Sequence, residues 1–222
     1  MNITVHHLNQ SRSHRVLWML EELGLDYEIR EYVRDPKTMR APPELKAVWP
    51  LGRAPVVEID GVAFAESGAI LDHLADVTDQ LKPEPGTEAY RRYRYFLHYA
   101  EGSLMPPLLV RLITNQLKGG AVPFFVRPLT KGIANKIDAS YSGPEIANHV
   151  AFLDGELDGR TFLAGDDLTA ADIQMSYPVA ALVTRGAGAK AGANIRAYLE
   201  RLEARPAYQR AIDKGGPVMV GG

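Results

Sequence analysis

The chain has no cysteine in its 222 residues. That absence excludes disulfides, thiolate metal sites and any nucleophile of the protein's own built on sulfur, and it fits a reducing compartment. Long apolar runs are missing too. None approaches the ~18 residues of a membrane span, and the N-terminus lacks the basic-then-apolar pattern of a signal peptide. The expected location is the cytoplasm, with no membrane partner. A charge excess is also lacking: the net charge is -2, whereas a general nucleic-acid binder is clearly basic, so no nucleic-acid partner is expected. Residues 1–80 carry 8 Lys and Arg against 13 Asp and Glu, and the remainder 17 against 14, so neither half is extreme. No G-x-S-x-G elbow is present to support a serine hydrolase. No H-E-x-x-H or similar histidine cluster accompanies His6-His7 and His98, so no metal is expected.

What is present is an ordinary globular composition, 46% apolar and 23% charged, long enough to bury a real core. Ile3-Thr4-Val5 reads as a short strand. Val16, Leu17, Leu20 and Leu23 follow at helical spacing, with Gly24 as the C-terminal cap. Tyr27, Ile29 and Val33 mark a second strand, and strand, helix and strand this close imply a parallel βαβ unit. After a Pro-rich irregular stretch, Asp60-Gly61 joins two apolar runs as a hairpin. Ser67 then stands as the expected N-cap of a helix through Ile70, Leu71 and Leu74. Beyond residue 86 the periodicity is helical throughout. Tyr90, Tyr93, Leu97, Leu104 and Leu108 trace a long helix with an interruption expected near Pro106-Pro107. Ile146, Val150, Leu153 and Leu157 trace another, and a third, opening at Thr169, is expected to bend or stop at Pro178. The expected organisation is an α/β domain over residues 1–78, a linker over 79–86 and an all-helical domain over 87–222.

Two signals have a structural reading. Thr169 and Asp172 form a capping box, flanked by Leu168 and Ile173 as a hydrophobic staple. "YRRYRYF" (90–96) interleaves bases with aromatics, but on a helix its arginines spread over more than one face while Tyr90, Tyr93 and Leu97 form a core stripe.

Chemistry concentrates elsewhere. In "HHLNQSRSHRVLW" (6–18), Ser11 and Ser13 lie between strand and helix among Arg12, His14 and Arg15; they could be caps, nucleophiles or donors to a ligand. Glu66-Ser67 sits where hairpin meets helix. A helix N-terminus offers unpaired N–H groups to a carboxylate, and an acidic neighbour suits an ammonium, so the pair could read an α-amino acid head group. Ala54-Pro55 is a candidate cis bond that would expose the backbone of Ala54 to a ligand, with Arg53 and Arg40 available for a second carboxylate.

Taken together, "SRSHRVLWMLEELGLDYE", "APPELKAVWPLGRAPVVEIDGVAFAESGAILDHL" and "LAGDDLTAADI" resemble, in order and spacing, the glutathione S-transferase family in its serine-type bacterial and fungal form. The resemblance implies a thioredoxin-like N-terminal domain, a helical-bundle C-terminal domain, glutathione as co-substrate and a small-molecule electrophile as its partner. It implies that Ser11 activates the thiol, that Ala54 and Pro55 pair with the cysteinyl part, and that Glu66 and Ser67 read the γ-glutamyl group. Arg53 and Arg40 fall where serine-type members hold the glycine carboxylate. It further implies a homodimer, with Glu101 reaching toward the partner's ligand. Conjugation is the expected reaction. A binding protein with little turnover, and a glutathione-dependent peroxidase or isomerase, stay open as alternatives. The second substrate is expected to be read by the first and third long helices and by the C-terminal "GGPVMVGG".

Overall fold

The computed structural model describes residues 1–119 and 122–218. Four strands form one sheet: β1 (Ile3–Leu8), β2 (Glu28–Tyr32), β3 (Val56–Ile59) and β4 (Val62–Ala65), in the order β2-β1-β3-β4. β1 and β2 run parallel, with Val5 opposite Ile29, and α1 (His14–Leu23) makes the crossover that a parallel pair requires. β3 is antiparallel to both β1 and β4. Asp60 and Gly61 turn the β3–β4 hairpin with φ of 51° and 84°, the left-handed pair that a two-residue turn demands. Gly24, at φ 63°, ends α1 as expected. β1 is central and almost wholly buried, His6 and His7 included.

α2 (Leu45–Val48) is a single turn in the irregular stretch, and α3 (Ser67–Thr78) closes the α/β half. No helix or strand occupies the residues between Thr78 and Glu88. The helical half comprises α4 (Glu88–Tyr99), α5 (Met105–Lys118), α6 (Arg127–Ile137), α7 (Gly143–Glu156), α8 (Ala170–Ala181), α9 (Ala193–Glu203) and α10 (Pro206–Gly215). This is the expected α/β unit followed by helices.

One sequence reading is sharpened and two need correction. The break in the first long helix lies a turn before the prolines, in a widened π-helical turn at Ala100–Leu104. Prolines lack the N–H for an i−4 bond and their rings crowd the i−4 carbonyl, so the backbone opens ahead of Pro106 and Pro107, which then sit in the first turn of α5. Pro178 does not stop α8, which ends at Ala181 before another widened turn, Leu182–Gly186. Ser67 is not the cap of α3: Glu66 occupies that position at φ 71°, and Ser67 is the first helical residue.

The capping signal at α8 is present and extends further than the sequence indicated. The buried Asp172 carboxylate accepts the Thr169 N–H at 2.9 Å and hydroxyl at 2.8 Å, the Leu163 N–H at 2.9 Å and the Tyr198 hydroxyl at 2.9 Å. It ties α8, α9 and the preceding loop together. The basic–aromatic run is structural: Arg92 bonds Leu163 O at 2.9 Å and pairs with Glu156, while Tyr93 and Leu97 are buried. α10 folds back over α1. Arg205 grips Glu22 bidentately at 2.6 and 2.9 Å, and Glu21 accepts from Arg210 at 2.7 Å and Lys214 at 2.5 Å.

Candidate active site

The turn after β1 carries Ser11 and Ser13 into α1. Ser11 is 6% exposed and Ser13 fully buried. Their hydroxyl oxygens lie 2.7 Å apart, and the Ser13 N–H donates to Ser11 Oγ at 3.2 Å. Ser13 is the residue before the first helical position; its hydroxyl faces inward, to His7 Nδ1 at 2.9 Å and Leu8 O at 3.2 Å. Only Ser11 of the two lines open space: a cavity of ≈ 690 Å³ on one side and a cleft of ≈ 40 Å³ under Tyr208 on the other. The two serines are therefore separated by burial.

A second cavity, of ≈ 220 Å³, adjoins the larger one through Arg12, Leu51, Arg53 and Ala54. The structure brings Arg53, Ala54, Pro55, Glu66, Ser67 and Glu101 together on its wall. Ala54-Pro55 is cis, as expected. Glu66, held at positive φ, is exposed at the mouth, and Ser67 is 4% exposed at the start of α3. Left-handed backbone at a non-glycine residue is a strain that clusters at ligand sites.

Beneath this wall runs a charged hub. Arg15, 1% exposed, donates to Ser67 Oγ at 3.0 Å and to Glu101 Oε1 at 2.7 Å, and Arg12 Nε donates to the same oxygen at 3.1 Å. Both guanidinium groups stand over the Tyr177 ring, at 5.1 and 5.3 Å. Burial pushes Arg15 down to about 10 against the pull of Glu101, so it stays charged at neutral pH. Burial also works to raise Glu101, but the two arginines outweigh it and hold its carboxyl below the usual range. Arg15 thus turns toward Ser67 and Glu101, not toward Ser11. It occupies a lone pair of the Ser67 hydroxyl and leaves that hydrogen free for a ligand, while two of Arg15's own nitrogens have no protein partner. Glu101, on the widened turn after α4, faces the cavity of its own chain.

Arg40 lies on the rim of the larger cavity with Arg12, Arg34, Lys46 and Arg53, and no carboxylate lines it. A local positive field therefore stands inside the acidic half of the chain. Arg34 braces the turn below Ser11 by donating to the carbonyls of Asn9 at 3.1 Å, Gln10 at 3.4 Å and Met39 at 2.9 Å. Arg34 and Tyr177 lie outside the stretches that carry the resemblance, and Lys46 and Trp49 lie inside one with no role assigned there; folding places all four at these cavities. Val218 of the C-terminal stretch lines the narrow cleft; residues 219–222 lie outside the described residues. Among the described residues, no group of three or more His, Asp and Glu is placed to hold a metal, and no helix is long and apolar enough to cross a membrane. The arrangement can take a ligand carrying carboxylates at Ser67 and at the cationic rim, an ammonium at Glu66, and a polarisable atom at Ser11.

The chain matches known proteins over most of its length. Residues 11–77 match the model of the glutathione S-transferase N-terminal domain, and residues 119–206 that of the C-terminal domain. Glutathione S-transferase 1 of Saccharomyces cerevisiae is 38% identical over 186 residues, covering 80% of this chain and 79% of the yeast protein. Glutathione S-transferase 3 of Schizosaccharomyces pombe is 36% identical over 96% of this chain and 87% of its own length. A glutathione S-transferase crystal structure from Actinobacillus pleuropneumoniae superposes with a TM-score of 0.76 at 36% identity, over 98% of this chain and 95% of that one. The chain belongs to the glutathione S-transferase family.

Proposed function

We propose that this enzyme conjugates glutathione to an electrophilic small molecule, with Ser11 activating the thiol. The observation that carries the reading is the position of Ser11: a hydroxyl just before α1, on the border of the larger cavity and beside the adjoining one, whose wall suits a zwitterionic head group. Glu66 and Ser67 take the γ-glutamyl ammonium and carboxylate. The backbone of Ala54 beside Pro55 pairs with the cysteinyl amide, and Arg53 and Arg40 hold the glycine carboxylate. A free thiol has a pKa near ~8.5, so only a small fraction is nucleophilic at neutral pH. A hydroxyl donating to sulfur, at the positive end of a helix dipole, shifts that balance toward thiolate.

The thiolate attacks an electrophilic carbon, forming the S–C bond as the leaving group departs with its electron pair. The cleft under Tyr208 is narrow, so the electrophile approaches from the larger cavity, against Tyr177 of α8. The protein acts as a cytoplasmic homodimer in detoxification of such electrophiles, and no metal takes part. The test is conjugation of glutathione to a reactive aryl halide by purified protein, followed by mass spectrometry of the product. Glutathione retained in the product supports conjugation. Oxidised glutathione or an isomerised substrate supports the other glutathione-dependent reactions, and tight binding without turnover supports a carrier.

A further inference from the structure

Ser11 stands at the end of a buried hydrogen-bond chain that the conjugation reaction does not by itself require. Ser11 Oγ lies 2.7 Å from Ser13 Oγ, Ser13 Oγ lies 2.9 Å from His7 Nδ1, and His7 Nε2 lies 2.8 Å from the Gly215 carbonyl oxygen. That last contact decides the tautomer. A carbonyl only accepts, so Nε2 carries the hydrogen, and in the neutral ring Nδ1 is the acceptor. The single hydrogen of Ser13 has two acceptors in reach, His7 Nδ1 at 2.9 Å and the Leu8 carbonyl at 3.2 Å; the shorter contact directs it to His7, and the Ser13 oxygen accepts the hydrogen of Ser11. With that assignment both hydroxyls point away from the cavity in the resting chain, toward His7.

A thiolate at Ser11 needs the opposite polarity, because the Ser11 hydrogen must point at sulfur. The chain reverses cleanly when His7 gains a proton on Nδ1. We propose that His7 takes up the thiol proton of bound glutathione through Ser11 and Ser13, acting as a positioning residue two hydroxyls away from the ligand. The step is balanced. The S–H proton passes to Ser11 Oγ, the former Ser11 hydrogen to Ser13 Oγ, and the former Ser13 hydrogen to His7 Nδ1. One S–H and two O–H bonds break while two O–H bonds and one N–H bond form. The outcome is a thiolate facing a hydroxyl donor, and an imidazolium. After the S–C bond forms, the proton returns along the same path to solvent, matching the anionic leaving group.

The surroundings of His7 suit both states. Gly215 is the last residue of α10, and its carbonyl belongs to the negative end of that helix, which favours an imidazolium. Glu31 lies opposite His7 across the β1–β2 ladder. Against these stand burial and the neighbouring His14 ring on α1; Lys214, also on α10, is occupied by Glu21. Burial wins in the free protein and lowers the His7 pKa, the Gly215 carbonyl and Glu31 opposing it, so the ring rests neutral and ready to accept. The imidazolium, once formed, has an acceptor for each N–H.

This inference rests on glutathione binding at Ser11, and the experiment separates the two. Purified full-length protein is mixed with glutathione near neutral pH in weak buffer containing a pH indicator, with S-methylglutathione as the thiol-free control. Thiolate is read from its ultraviolet absorbance and released protons from the indicator. The relay predicts thiolate formation with far less than one proton released per thiolate. In His7→Gln and Ser13→Ala the thiolate falls tenfold or more, and whatever forms is matched by one released proton, while S-methylglutathione still binds. One proton released per thiolate by the unmodified protein overturns the relay and leaves the function intact; this measurement needs no variant to fold. Wild-type thiolate and proton balance in His7→Gln overturns it equally. Absence of glutathione binding by calorimetry overturns the function and the relay together.

Discussion

Replacing Ser11 by alanine tests the thiol activation most directly. Ser11 is nearly buried, so a hydrogen bond from it to sulfur is little diluted by water. Hydrogen bonds to charged groups contribute about 1.5–3 kcal/mol, and a pKa unit corresponds to about 1.4 kcal/mol. Ser11→Ala should therefore raise the pKa of the bound thiol by about one to two units. At neutral pH that lowers kcat/KM by about 10- to 100-fold. The γ-glutamyl and glycine contacts are untouched, so glutathione affinity should change far less. The loss should also shrink as pH rises, because an alkaline medium ionises the thiol without help. Two stability effects are small: the Ser13 N–H loses its acceptor at 3.2 Å and the Ser13 hydroxyl its Ser11 partner at 2.7 Å, while that hydroxyl keeps His7 and Leu8. The assay is kcat/KM for aryl halide conjugation across the pH range, beside calorimetric glutathione binding. A loss of equal size at every pH, or unchanged activity at neutral pH, refutes the role given to Ser11.

Two further outcomes follow from the charged hub and the C-terminal clamp. Glu101→Ala strands the buried Arg15 guanidinium; with Glu101 itself partly open to water, a loss of about 2 kcal/mol is expected by chemical denaturation, below the 3–5 kcal/mol of a fully buried pair. Glutathione affinity should fall with it, because Arg15 positions Ser67, and unaltered affinity would argue against that link. For Glu21, burial works to raise the pKa, but bonds from Lys214, Tyr27 and Arg210 bring it down to about 2 from the ordinary 4.5. A depressed carboxyl stabilises the fold above its unfolded pKa and loses that contribution as pH falls from 4.5 toward 2. Hydrogen exchange along α10 should accelerate over that window before the sheet opens, and Glu21→Gln should remove the pH dependence at a cost of about 1–2 kcal/mol, since both cations are half-exposed.

Local features of the fold were readable because short-range physics decides them. The Asp60-Gly61 turn, the Gly24 cap and the Thr169–Asp172 box depend on residues within a few positions of one another. The misreadings share one cause. Ser67 has the chemistry of a cap, yet Arg15, 52 residues away in sequence, claims its hydroxyl and Glu66 takes the cap position. Pro106 and Pro107 announced a break but could not say on which side the helix would widen, since that depends on what the turn packs against. Pro178 lies in a buried helix whose packing holds it together past the proline.

The same division holds at the site. The residue order placed a hydroxyl before a helix, an Ala-Pro bond before a hairpin and an acid–serine pair before a second helix. Read alone these pointed to a zwitterionic head group and a second carboxylate, because each is a local backbone device; the resemblance to the family named glutathione. Which serine borders open space was decided by burial, and the direction of Arg15 by a carboxylate 86 residues away. The placing of His7 behind Ser13 needed β1, α1 and the end of α10 in one place, with 208 residues separating His7 from Gly215. Composition and periodicity determine which elements form, because they act over a few residues. Hydrogen-bond chains and buried ion pairs are set by contacts between elements distant in sequence, and only the tertiary structure could decide them.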